Sequence, residues 1–67
     1  MRFTLVAHYG DGRAERSDVA TWPDVARAAR GLYDGRGLAR TAPTSVEVID
    51  HVRGSRKGVR RDGTVIG

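Results

Sequence analysis

Five positive side chains crowd the end of the sequence. Between Arg53 and Gly67, Arg53, Arg56, Lys57, Arg60 and Arg61 stand against a single acid, Asp62. Guanidinium and ammonium groups at that density suit phosphate oxygens or an acidic protein surface, because a field of one sign draws polyanions toward it. The rest of the chain is neutral: from Met1 to Val52 seven arginines meet seven acids, so the formal net charge of +4 belongs to this segment. Glycines at 54, 58 and 63 let such a hairpin follow a backbone groove. No aromatic residue is interleaved, so stacking of single-stranded bases is not expected here.

Other residue types offer less. The chain has no cysteine, and His8 and His51 are its two histidines. Two imidazoles complete a metal site only with carboxylates or a second chain, so they read as surface histidines. Ser17, Ser45 and Ser55 sit in no nucleophile-elbow context, and there is no thiol to serve a thiolate mechanism. Gly54 and Gly58 lack the spacing of a phosphate-binding loop and no helix follows them; nor do they make a Gly-x-x-Gly clamp. Neither enzymatic activity nor a cofactor is expected.

The elements that must carry these residues are legible in the pattern. Arg2 to Tyr9 alternates, with Phe3, Leu5, Ala7 and Tyr9 on one side and Arg2, Thr4, Val6 and His8 on the other, as in a half-buried strand. Asp11-Gly12 predicts a hairpin, with Arg13 to Ser17 returning as an edge strand whose charges discourage pairing with another chain. Thr21-Trp-Pro-Asp24 reads as a helix N-cap, a first-turn proline and an early acid. Apolar residues at 22, 25, 26, 29, 32 and 33 then trace one helical face. Arg30 and Asp34 can pair along that helix. Gly31 weakens its last turn and Gly35 ends it.

Arg36 to Thr44 reads as a loop and Ser45 to Val52 as a strand, with Val46, Val48 and Val52 inward. Arg53 to Gly58 reads as a turn or mobile loop. Short strands at Val59–Arg61 and Thr64–Ile66 follow, separated by Asp62-Gly63. The expected fold is α+β: a four-stranded antiparallel sheet with one helix packed on one face, ββαββ, in a single domain spanning 1–67. At this size only about 60% of the unfolded chain's surface can be buried. The longest early apolar stretch, Phe3 to Ala7, is too short for a membrane span or a signal-peptide core, so a cytoplasmic protein with no membrane association is expected.

One helix covers one sheet face. The other face, with Arg2, Val6, His8, Ile49 and His51, is left bare and forms a second candidate interaction surface. There Val6→Glu or Ile49→Glu should spare the fold and abolish assembly or partner binding. His8 and His51 could be neighbours on it if their strands pair.

The layout of Met1-Arg-Phe3, a first hairpin, Ala20-Thr-Trp-Pro-Asp-Val-Ala-Arg27 opening a single helix, Val46-Glu-Val-Ile49 and a closing Arg61-Asp-Gly-Thr64 hairpin resembles the small ββαββ proteins of phages and mobile elements. Some anti-CRISPR inhibitors of type I surveillance complexes share this size and order. The resemblance is architectural and spans the chain. It implies a protein that occupies surfaces or guide-proximal grooves without catalytic residues. Inhibitors that mimic DNA are typically acidic, whereas this chain is basic, so the resemblance implies steric blocking or nucleic-acid contact. The sequence therefore predicts a non-enzymatic module docking on a nucleic acid or nucleoprotein complex through the basic C-terminal hairpin. The alternative is a regulatory or structural protein that homodimerises, or binds a protein, through the uncovered sheet face.

Overall fold

Alternation of apolar residues from Phe3 to His8 and the Asp11-Gly12 turn generate the founding hairpin of the molecule. In the computed structural model, which describes residues 1–66, β1 (Phe3–His8) pairs antiparallel with β2 (Ala14–Val19). The turn closes through Tyr9 N–H to the Arg13 carbonyl at 2.9 Å. Gly12 at φ 89° supplies the left-handed residue that such a turn requires.

Helix α1 (Trp22–Tyr33) starts as its sequence predicts: the Thr21 hydroxyl accepts from Asp24 N–H at 3.3 Å. It ends at Asp34, beyond which Gly35 takes φ 77°. Val25, Ala29 and Leu32 are buried, and Trp22 stacks on Phe3 with ring centroids 4.4 Å apart. The ion pair on the helix is Asp24–Arg27 at 3.3 Å; the expected Arg30–Asp34 pair does not form among the described residues. α1 is not long and apolar enough to cross a membrane.

After a loop, β3 (Ser45–Asp50), β4 (Ser55–Val59) and β5 (Val65–Ile66) complete a five-stranded antiparallel sheet of order β2-β1-β3-β4-β5. The α+β class is as expected, with one strand more. β4 begins at Ser55, inside the segment read as a turn or mobile loop. Its backbone is held by register with β3, Val46 opposite Val59 through to Asp50 opposite Ser55. No apolar alternation is needed for that pairing, which is why the side chains did not announce it.

Phe3, Leu5, Ala7, Val46, Val48 and Val59 form the sheet side of the core, facing α1. Val52, expected among them, is 73% exposed. The strand stops two residues earlier, because the Asp50 carboxylate accepts the Val52 and Arg53 N–H groups at 3.0 and 3.3 Å and turns the chain.

Candidate nucleic-acid interface

The carboxylates of this protein are largely occupied by its own structure. Asp11 binds Arg13 at 2.6 Å, Asp24 binds Arg27, Glu47 binds His8 at 2.6 Å and Arg56 at 2.9 Å, and Asp50 binds Arg2 at 3.2 Å. Glu15 accepts from the Tyr9 hydroxyl and from Leu38 N–H, Asp18 from the Thr4 hydroxyl, and Asp62 from Thr64 N–H. Among the described residues this leaves Arg16, Arg30, Arg36, Arg40, Arg53, Lys57, Arg60 and Arg61 with no carboxylate within 4.0 Å. Four of the five cations of the C-terminal segment are in that group.

The fold separates those five by face and by end. Arg53 lies in the β3–β4 turn, Arg60 and Arg61 at the opposite end of β4, and Lys57 between them on the side facing α1. Arg56 projects to the uncovered face, where Glu47 neutralises it. The segment around Arg61 is docked on the helix. Gly63, at φ 90°, is buried with Ala26 atoms 3.1–3.2 Å from where a β-carbon would stand. The Arg61 guanidinium carbon lies 5.7 Å from the Tyr33 ring centroid, and the Tyr33 hydroxyl donates to the Val59 carbonyl at 2.9 Å. Arg30 is on the same helical stripe as Ala26 and Tyr33, between these two contacts, since residues three and four apart share a face. Helical spacing thus sets Arg30 on the stripe that the Arg61–Gly63 turn packs against, a placement hidden in the sequence because it depends on Gly63 closing onto α1.

On the uncovered face the placements depart further from expectation. Val6 is 2% exposed. On the interior strand β1 it is flanked by Arg16 of β2 and Glu47 of β3, whose long side chains stand on the same face as cross-strand partners. The Arg2 guanidinium turns away from this face to lie 4.7 Å from the Phe3 ring centroid and bind Asp50. Ile49, half-buried, lies between Thr4 and Arg56. His8 and His51 are not neighbours: β1 and β3 do pair, but antiparallel, with His8 opposite Ser45 and His51 N–H bonding the Arg2 carbonyl. Six strand positions, about 20 Å, separate them.

Each histidine instead has its own acid-linked contact. His8 Nε2 meets Glu47. Thr4 Oγ1 contacts both Asp18 at 2.8 Å and His51 Nε2 at 2.7 Å. A hydroxyl has one proton; with Thr4 donating it to the Asp18 carboxylate, His51 Nε2 must donate to Thr4. The buried Thr4 oxygen is therefore a structural bridge with no open approach.

The His8 hydrogen bond, followed by Arg56, holds the Glu47 carboxyl below the usual carboxylate range. Arg2, then the Arg53 and Val52 N–H groups, do the same for Asp50. Burial, reinforced by Glu15, pushes the Tyr9 hydroxyl up. Among the described residues no three His, Cys, Asp or Glu side chains converge as a metal site would need. No protein-family model matches the sequence, and no curated protein or solved structure matches it significantly.

Proposed function

We propose that the protein is a small binding module that docks on a nucleic acid or nucleoprotein complex along β4 and the turns at its two ends. Arg53, Lys57, Arg60 and Arg61 supply the charge, and Arg30 joins them from α1. The observation that carries this reading is the state of those cations: none has a carboxylate partner among the described residues, while the Arg60–Arg61 turn is fixed on α1 through Gly63. Fixed cations lose less freedom on meeting phosphates than mobile ones do. Arg56, spent on Glu47, contributes least. In its most specific form the reading is of a phage-encoded inhibitor that blocks a nucleoprotein groove sterically.

Docking of a partner protein on the uncovered face draws less support, since Val6, its expected apolar centre, is covered by its neighbours.

Binding to duplex DNA and to RNA, followed by fluorescence anisotropy across a salt series, tests the proposal. Three phosphate contacts would weaken duplex binding about 40-fold between about 50 and 200 mM salt. R30A/R60A/R61A should flatten that slope by about three; unchanged affinity and slope in this variant would end the reading.

A further inference from the structure

The outer edge of β2 is open. In the β1–β2 ladder Tyr9 N–H bonds the Arg13 carbonyl, and hydrogen-bonded pairs alternate along an antiparallel ladder. Glu15, Ser17 and Val19 therefore direct their backbone groups to β1. Ala14, Arg16 and Asp18 direct theirs outward, where no backbone or side-chain partner meets them among the described residues. Three residues' worth of unpaired donors and acceptors on a six-residue strand is a template for another strand.

The charges expected to keep this edge solitary do something narrower. Arg16 and Asp18 have opposite signs, and their side chains share the uncovered face with Thr4 and Val6. In antiparallel pairing of two copies of β2, outward-directed residues must face outward-directed residues. One register sets Arg16 opposite Asp18 twice, Ala14 opposite Ala20, and Ser17 on the two-fold axis. A shift of two residues either way sets Arg16 against Arg16 or Asp18 against Asp18. Like charges directly opposite are unfavourable, whereas opposite charges stabilise. Asp18 is already oriented by the Thr4 hydroxyl, and a carboxylate retains acceptor capacity after one such bond.

The other face of the same arrangement carries Glu15 and Val19. Leu38 is 90% exposed and is held beside Glu15 by its N–H at 3.1 Å. The register sets Glu15 opposite Val19 of the second copy, the strand end that leads into the half-exposed Trp22.

We infer that β2 is a self-association edge, on which a second copy of this chain pairs in the register that opposes Arg16 to Asp18 and makes one continuous ten-stranded sheet. This surface lies at the opposite edge of the sheet from β5, so it shares no residue with the proposed polyanion strip, and either can fail without the other.

Sedimentation velocity over a concentration series, with circular dichroism as the check on folding, tests the pairing. The wild type should show a reversible monomer–dimer equilibrium, and the Arg16 and Asp18 amides should exchange more slowly as the dimer fills. R16K should retain the dimer. R16D, which sets two carboxylates against each other on each side of the axis, should weaken it at least about tenfold. R16D/D18R should restore it. A protein that stays monomeric at millimolar concentration overturns the inference. So does a dimer indifferent to R16D, or amides at 16 and 18 that exchange freely in the dimer.

Discussion

The α-carbon of Ala26 lies 3.2 Å from the position that a β-carbon on Gly63 would occupy. This contact fixes the basic turn to the helix, and Gly63 meets two demands at once: it holds φ 90° and it lets backbone approach backbone. Gly63→Ala should therefore cost about 1–2 kcal/mol for the left-handed backbone alone, with a further loss because the β4–β5 turn must lift from α1. In the proposed function the same variant frees Arg60 and Arg61. Urea unfolding should report the first effect, and weaker DNA binding by a still-folded protein the second.

Asp50 carries a separate prediction. Its side chain is 1% exposed and ties Arg2, near the start of the chain, to the β3–β4 turn. Because its folded-state pKa lies below the unfolded value, its stabilising contribution is complete at neutral pH. The contribution fades as pH falls below about 4, the unfolded carboxylate value, and through the lower folded one. Glu47 follows the same sign. Denaturant midpoints should thus fall between pH 7 and pH 3. Asp50→Asn should lower the midpoint at pH 7 and shrink its dependence on acid; an unaltered acid dependence would count against this account.

β1, the Asp11-Gly12 hairpin and α1 were legible because each announces itself locally, through alternation, turn residues or a cap. β4 was not: Ser55-Arg-Lys-Gly58 has no apolar period, and its order comes from the ladder to β3. Asp50 was silent for the opposite reason. Its parity with Val46 and Val48 places a carboxylate where the pattern asks for an apolar residue, and what makes that position tolerable is Arg2, forty-eight positions away, together with the Val52 and Arg53 N–H groups of the turn. The dispersal of the five C-terminal cations was hidden likewise, since their grouping depends on which face each strand position takes and on a glycine that closes over Ala26.

Gly31 offers a gain rather than a loss. It lies inside α1, and a β-carbon built there meets nothing within 4 Å. Gly31→Ala should stabilise the protein by about 1 kcal/mol through helix propensity. In a domain of this size that corresponds to a rise in Tm of about 4–8 °C. A thermal melt that does not move would mean that the last turn of α1 contributes little to the cooperative unit.

Val6 and Ile49 should now behave differently, although the sequence placed both on the same bare face. Val6 is covered on the interior strand β1, so Val6→Glu buries a carboxylate beside Glu47, its cross-strand neighbour. Burial of an unpaired charge and loss of a packed aliphatic side chain act together, and a loss of about 3 kcal/mol or more is expected. Ile49 is half-buried on β3 and stands opposite Arg56 on β4. There Ile49→Glu meets a guanidinium and retains access to water, so its effect should stay within about 1 kcal/mol. Urea unfolding of the two variants side by side decides the matter. Equal stabilities would mean that the side chains flanking Val6 do not cover it in solution.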